Sequence, residues 1–159
     1  MIMLYDGVSD MANIMELVII TGMSGAGKTV AVQSFEDMGY YCIDNMPPNL
    51  LPTFLKLIHG VQKVEKLALV MDLRSQLFFE EMYEAIKYVE DKTSIKSRIL
   101  FLDATDEELV SRYKETRRSH PLAKQGRTID GIIEERNFLN KIRLRANDVI
   151  DTSNTSPRE

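Results

Sequence analysis

The sequence predicts an α/β fold, with a five-stranded parallel sheet and helices on both faces. Apolar runs of strand length alternate with stretches of helical periodicity, and the expected strands are 17–21, 40–44, 66–72, 98–103 and 148–151. A glycine-rich turn follows the first run, and Asp44, Asp72 and Asp103 end three of the later ones. Such alternation favours parallel pairing, because each helix returns the chain to the same end of the sheet. Ligands of these sheets bind at the carboxyl ends of the strands.

Apolar spacing predicts helices over 29–38, 50–58, 78–89, 106–116 and 128–144. Asn49 is expected to cap the second helix and Asp106 the fourth, while Gly39 closes the first. Asp103 closely precedes the fourth helix, so we expect its carboxylate to serve as a cap, ahead of metal or ribose binding. Two prolines at 47 and 48 predict a stiff loop after the second strand.

At 159 residues the chain is long enough for one domain with its own core, which we expect over 16–153. Residues 1–15 are expected to be a leader before the first strand, with a disordered tail, an extra strand and an artefact of the start site as the alternatives, and 154–159 are expected to be a polar tail. The net charge of −4 argues against a broad nucleic-acid surface, and the single cysteine, Cys42, fits a reducing cytoplasm. The longest apolar runs have strand length, so no membrane association is expected.

The glycine-rich turn matches the phosphate-binding pattern G-x-x-x-x-G-K-[ST]. Its glycines let the backbone curl so that successive N–H groups face phosphate oxygens, and a Cβ at Gly22 or Gly27 is expected to obstruct that curl. Lys28 is expected to reach the β- and γ-phosphates, and Thr29 to place its hydroxyl on Mg²⁺. The expected nucleotide-binding residues of this turn are Gly22, Met23, Ser24, Gly25, Ala26, Gly27, Lys28 and Thr29.

The third expected strand ends in an aspartate after a run of apolar residues, which is the Walker B pattern. Beside a phosphate-binding loop, Asp72 is expected to bind Mg²⁺, directly or through water, or to position a nucleophile. Arg74 and Ser75 follow at once and are expected to reach phosphate or base. Together with the order strand, loop, helix, the two patterns predict a kinase-like P-loop NTPase fold.

A basic stretch over 112–127 carries six Lys or Arg residues against one acidic residue. In kinase-like proteins, arginines on a mobile lid stabilise charge on the transferring phosphoryl group, which makes Arg117 and Arg118 catalytic candidates. His120 falls in the same lid segment. A solvated basic loop and an RNA- or partner-binding patch are the alternatives.

Five segments of the chain form a wider set of motifs: 22–29, 35–47, 72–75, 112–122 and 151–153. Together they resemble the RapZ/YvcJ family of bacterial P-loop nucleotide-binding proteins. The resemblance implies ATP binding at 22–29 and modest ATPase and GTPase activity. It also implies a GTP-associated segment at 72–75, whose nucleotide-binding residues are Asp72, Leu73, Arg74 and Ser75. It also implies an RNA-binding C-terminal domain of similar size, which is expected to lie outside this chain, so RNA binding is not expected of these residues.

The residues alone fit a nucleotide hydrolase and a small-molecule kinase about equally, and the family resemblance favours binding of ATP and GTP with Mg²⁺, followed by slow hydrolysis in a regulatory role. The expected catalytic residues are Lys28, Asp72, Arg117 and Arg118, and the expected metal ligands are Thr29 and Asp72. A small-molecule kinase and a non-catalytic nucleotide sensor are alternatives with the same architecture. A protein partner and self-association are left open.

Overall fold

The computed structural model of the chain describes residues 16–61, 64–71, 76–92, 95–116, 120, 122 and 127–154. Side chains are described over these ranges except at 59–61, 76–79, 92 and 116. The strands are β1 (Glu16–Gly22), β2 (Tyr41–Ile43), β3 (Lys66–Val70), β4 (Lys96–Asp103) and β5 (Asp148–Asp151). The helices are α1 (Lys28–Asp37), α2 (Leu51–Val61), α3 (Gln76–Lys92), α4 (Asp106–Thr116) and α5 (Thr128–Arg145), and a 3₁₀ turn, Pro48–Leu50, precedes α2.

The strands form one sheet in the order β2-β3-β1-β4-β5. β2 and β3 are parallel, with Tyr41 opposite Leu67, and β4 and β5 are parallel, with Leu100 opposite Asp148. β1 lies third in this order, and every residue of it after Glu16 is buried. An almost wholly buried strand is typical of a parallel sheet covered on both faces. The predicted parallel α/β fold of five strands is confirmed.

Two of the predicted helix caps are wrong. Asn49 lies inside the 3₁₀ turn, and the residue that precedes the turn with extended backbone is Pro47, at φ −65° and ψ 131°. At α4 the cap is Thr105, whose Oγ1 accepts the N–H of Glu108 at 3.2 Å, so Asp106 is the first helical residue. A cap needs non-helical backbone, and each observed cap lies one or two residues before the predicted one.

The chain divides into two compact units. The first comprises Val32–Arg98 together with the residues up to Ile19, and it contains β2, β3, α2 and α3. Its helices α2 and α3 pack against each other. Fully buried side chains of this unit include Leu51, Leu55, Leu67, Met82 and Val89.

The second unit comprises Ile20–Ala31 and the chain from Ile99 onward, so it contains the glycine-rich turn, α4, α5 and β5. Helices α4 and α5 pack against each other. Fully buried side chains of this unit include Ile20, Met23, Leu109, Ile132 and Ile142. None of the described helices in either unit is both long and apolar enough to cross a membrane.

Candidate functional site

Residues 22–29, the predicted phosphate-binding loop, join β1 to α1 within the second unit. Gly22 opens the loop at φ +142°, and a Cβ there would lie 2.2 Å from the carbonyl oxygen of Leu102. The N–H of Met23 donates to that same oxygen at 3.0 Å. Glycine is therefore needed at position 22 because the backbone of β4 passes in contact with it.

Gly27 is constrained in a different way, because a Cβ there would meet no atom within 4 Å. Its backbone has φ +106°, a conformation that residues with a side chain rarely adopt. The carbonyl of Gly27 accepts the N–H of Ala31 at 3.0 Å, which starts the hydrogen bonding of α1. The glycine thus allows the chain to turn directly from the loop into the helix.

The loop leaves several backbone donors available. Over the described residues, no acceptor takes the N–H groups of Gly25, Gly27 or Thr29. The first N–H groups of a helix have no partner within the helix, and they carry the positive end of its dipole. A glycine loop followed by such a helix end can therefore accept an anion with several oxygens, such as phosphate.

Lys28 adds positive charge to the loop. Its Nζ donates to the carbonyl oxygens of Gly22 at 3.1 Å and Met23 at 3.2 Å. An ammonium group has three donors and no acceptor, so two loop carbonyls hold it in place while its charge stays beside the loop. The arrangement supplies the counter-charge that a phosphate bound to the loop N–H groups needs.

Two side chains outside the loop hold its carbonyl groups. Arg112 of α4 donates from Nη1 to the carbonyl oxygen of Gly25 and to Oγ1 of Thr152, both at 3.0 Å. Thr152, which follows β5, donates from Oγ1 to the carbonyl oxygen of Ala26 at 2.8 Å. Nη2 of Arg112 also donates to the carbonyl oxygen of Thr152 at 2.6 Å. The arginine and the threonine therefore act on the loop as one hydrogen-bonded unit.

These contacts orient the peptide groups of the loop. The C=O and N–H of a trans peptide point in opposite directions. Because the Ala26 carbonyl is turned toward Thr152, the N–H of Gly27, which belongs to the same peptide, points away from Thr152. An N–H group that is oriented before the ligand arrives needs no reorganisation on binding, which is the property required of an anion site.

A buried carboxylate holds the loop at Ser24. Oε1 of Glu135, on α5, accepts the N–H of Ser24 at 2.9 Å, and Oε2 accepts its hydroxyl at 2.7 Å. Nε2 of His120 lies 3.2 Å from Oε1 of the same carboxylate. Glu135 and His120 are 5% and 2% exposed. The sequence predicted that His120 lies in a lid. In the structure its ring is buried beside Glu135, the residue that holds the loop at Ser24.

Asp103, at the end of β4, is a partner of arginines and not a helix cap as predicted. Nη1 of Arg136 donates to both of its carboxylate oxygens, at 2.8 and 3.1 Å, and Nε of Arg143 donates to Oδ2 at 3.2 Å. Burial lowers the pKa of Arg136, but the hydrogen bonds and charges of Asp103 and Asp106 outweigh burial and raise that pKa overall. The Asp103 carboxylate is therefore paired with two guanidinium groups.

Six predicted site residues lie outside the described residues, so their roles stay predictions: Asp72, Leu73, Arg74, Ser75, Arg117 and Arg118. Asp44 is described and exposed, and its Oδ1 accepts the N–H of Asn45 at 2.8 Å. Among the described side chains, no three or more His, Cys, Asp or Glu residues are grouped so as to hold a metal ion.

Three residues that shape the loop were not identified from the sequence as its supports: Arg112, Glu135 and Thr152. Arg112 was one member of the basic stretch, Thr152 lay in the motif 151–153, and no motif marks Glu135. Their loop contacts span 87, 111 and 126 residues of sequence for Arg112, Glu135 and Thr152. Local patterns carry no signal for pairs so far apart.

The amino-acid sequence of this chain matches a known protein family. A family model described as the RapZ-like N-terminal domain matches residues 15–159. This chain belongs to the RapZ-like N-terminal domain family. The resemblance drawn from the sequence motifs is confirmed.

Two relatives named nucleotide-binding protein cover nearly all of this chain. The protein from Lacticaseibacillus casei (strain BL23) is 59% identical over 149 residues, which are 94% of this chain and 50% of the relative. The protein from Lactiplantibacillus plantarum (strain ATCC BAA-793 / NCIMB 8826 / WCFS1) is 59% identical over 149 residues, which are 94% of this chain and 51% of the relative. The chain therefore spans about half the length of these relatives.

Solved structures of low sequence identity share the fold. Shikimate kinase from Acinetobacter baumannii, in complex with shikimate, superposes with a TM-score of 0.59 at 15% identity and covers 92% of this chain and 88% of that one. Shikimate kinase from Bacteroides thetaiotaomicron gives a TM-score of 0.56 at 16% identity, with 86% of each chain covered. The fold of this chain is that of the P-loop kinases.

Proposed function

We propose that this chain binds ATP and GTP with Mg²⁺ at the phosphate-binding loop, and that it hydrolyses them slowly in a regulatory role. The observation that carries the proposal is the set of N–H donors at Gly25, Gly27 and Thr29 beside the Lys28 ammonium. These donors have no acceptor in the described chain, and they suit the oxygens of a di- or triphosphate. The name of the relatives, nucleotide-binding protein, supports the same proposal.

Mg²⁺ fits the donors that the loop offers. The Thr29 side chain is exposed at the start of α1, and its hydroxyl has no partner within the described residues. Proteins hold Mg²⁺ with one or two oxygen ligands, and phosphate oxygens and water complete its shell. The hydroxyl of Thr29 is one such oxygen, and the carboxylate of Asp72 stays the second ligand that the sequence predicts. Bound with the nucleotide, the ion would neutralise charge on the phosphate oxygens.

For hydrolysis, the protein orients the triphosphate and spreads the charge that develops as the terminal bond breaks. The loop N–H groups and Lys28 bind phosphate oxygens and stabilise this charge. Asp44 or Asp72 is proposed to orient the attacking water, and Arg117 or Arg118 to add positive charge. Slow turnover and a regulatory role are carried over from the family resemblance.

Thermal unfolding with nucleotide tests the proposed site. At saturating Mg-ATP the native chain should gain several degrees in Tm, since a ligand at 100 times its Kd stabilises by about 2.7 kcal/mol. Lys28→Ala should remove that gain, because it deletes the counter-charge of the loop. Lys141→Ala, at an exposed lysine of α5, is the matched control and should keep the gain. An undiminished gain in Lys28→Ala contradicts the proposed site.

Phosphate release separates hydrolysis from the alternatives. We expect slow release from ATP and from GTP, dependent on Mg²⁺ and stopped by EDTA. Transfer of labelled phosphate to an added small-molecule acceptor would indicate a kinase, and binding without turnover would indicate a sensor. The likeness to shikimate kinases is one of fold and favours no acceptor. Cytoplasmic location, self-association and a protein partner stay predictions.

A further inference from the structure

The carboxylate of Glu135 is surrounded by hydrogen-bond donors. Ser24 provides two, its N–H at 2.9 Å and its hydroxyl at 2.7 Å, and Nε2 of His120 lies at 3.2 Å. An ionised carboxylate only accepts hydrogen bonds, so it is the form that fits three donors. A charge this deeply buried is tolerated only with such partners, and here the partners are a loop residue and a histidine.

The contacts of His120 define its tautomer. Nδ1 accepts the N–H of Leu122 at 3.0 Å, so Nδ1 carries no proton. The proton of the neutral ring is therefore on Nε2, which donates it to Oε1 of Glu135. The ring of Tyr113 lies beside His120, with 5.2 Å between centroids, and a Cβ on Gly25 would lie 3.5 Å from the same tyrosine. Packing and hydrogen bonding thus hold the imidazole in one orientation.

We propose that Glu135 is a positioning residue of the phosphate-binding loop, and that His120 acts on the loop by holding the Glu135 carboxylate against Ser24. The inference rests on the proposed nucleotide binding and deepens it. Ser24 precedes the N–H groups of Gly25 and Gly27, which have no acceptor in the described chain. Fixing Ser24 therefore limits the conformations that those donors can adopt before a phosphate arrives.

The negative charge of Glu135 opposes phosphate binding, although its hydrogen bonds to Ser24 favour it. A buried anion beside a phosphate site repels the ligand, because interactions between charges are stronger away from water. Glu135→Gln separates the two effects. Its amide oxygen can accept from Ser24 N–H and His120 as Oε1 does, and its NH₂ can donate to the Ser24 hydroxyl. The glutamine keeps the contact with the loop and removes the repulsion.

The test is the Kd of Mg-ATP measured by calorimetry on the whole chain. Glu135→Ala should weaken binding about tenfold, whereas Glu135→Gln should bind within about threefold of the native chain or more tightly. Ser24→Ala removes only the hydroxyl contact and should weaken binding about threefold, which tests the same contact in a milder variant. Glu134→Ala, at the exposed neighbouring glutamate of α5, should leave the Kd unchanged.

The role of His120 is tested separately, by the Mg-ATP affinity of single and double variants. If His120 acts only through Glu135, His120→Ala weakens binding in the native background and has no further effect in the Glu135→Ala background. A full additional loss in the double variant would overturn that role. A Glu135→Ala chain that binds Mg-ATP as tightly as the native chain, or more tightly, would overturn the positioning role.

Lys28→Ala separates this inference from the proposed function. Loss of Mg-ATP binding in Lys28→Ala with native affinity in Glu135→Ala refutes the positioning role alone. A native chain that does not bind Mg-ATP refutes both. Equal weakening in Glu135→Ala and Glu135→Gln also counts against positioning, because the glutamine keeps the hydrogen bonds to Ser24.

Discussion

The phosphate-binding loop and the proline loop, residues 44–48, both follow the carboxyl end of a strand, yet they are held in different ways. The proline loop is held through its own N–H groups: that of Asn45 donates to Asp44 at 2.8 Å, and that of Met46 donates to the Val70 carbonyl of β3 at 3.0 Å. The phosphate-binding loop depends on Arg112, Glu135 and Thr152, which come from elements far along the chain.

The difference follows from what each loop does with its N–H groups. The proline loop uses N–H groups for its own stability, and its prolines supply backbone rigidity and no N–H. A loop that binds an anion must leave some of its N–H groups available, so contacts to its other groups have to hold it. Side chains therefore hold the phosphate-binding loop through its carbonyls at Gly25 and Ala26, and through Ser24.

The largest effect is expected from Gly22→Ala, compared with Asn45→Gly in the proline loop. The alanine Cβ would lie 2.2 Å from the Leu102 carbonyl at φ +142°, so we expect a loss of about 3 kcal/mol or more in the free energy of unfolding. Asn45 also has a positive φ, of 56°, but glycine adopts that backbone readily, and the change should stay within about 1 kcal/mol. Urea unfolding measures both losses. If the two variants were destabilised equally, the close contact at Gly22 would not set the two loops apart.

Arg112→Ala should have the next largest effect, on nucleotide affinity. It frees the Gly25 carbonyl and removes both contacts to Thr152, and hydrogen bonds from a charged group predict about tenfold weaker Mg-ATP binding. Lys114→Ala, at an exposed lysine of the same helix, is the control and should bind as the native chain does. Unchanged calorimetric affinity in Arg112→Ala would show that the loop keeps its shape without the arginine.

Thr152→Val should weaken Mg-ATP binding by about threefold to tenfold. The valine has nearly the same shape but cannot hold the Ala26 carbonyl, so the N–H of Gly27 loses its fixed direction. Thr152→Ser keeps the hydroxyl and should restore most of the affinity. If the serine and valine variants bind equally, the hydroxyl does not orient the loop.

The smallest effect is expected from Ser153→Ala, a substitution next to Thr152 that should change only the pKa of Asp151. Hydrogen bonds from the Ser153 hydroxyl at 2.6 Å and N–H at 2.8 Å lower the pKa of Asp151. A lowered folded-state pKa gives stability that is present above the unfolded pKa and is lost as pH falls through the folded one. Ser153→Ala should raise the pKa of Asp151 toward its usual value, as an NMR titration can measure. An unmoved Asp151 pKa would contradict the role of the hydroxyl.

The order of the strands and helices was readable from the chain, because periodicity and turn residues act locally. The phosphate-binding pattern could be predicted for the same reason, since the positive φ angles of Gly22 and Gly27 are requirements of the backbone at those positions. Asp103 shows the limit of prediction from local sequence. A carboxylate just before a helix resembles a cap, but in the folded chain Arg136 and Arg143 of α5 donate hydrogen bonds to it.

The sequence by itself determined the alternation of strands and helices, the family, and a glycine turn suited to phosphate. Only the tertiary structure decided how that turn is held: Arg112 and Thr152 on its carbonyls, and Glu135, with His120, on Ser24. The physical reason is the range of the interactions. Backbone conformation depends on neighbouring residues, whereas a buried carboxylate finds its donors only after distant elements have packed together.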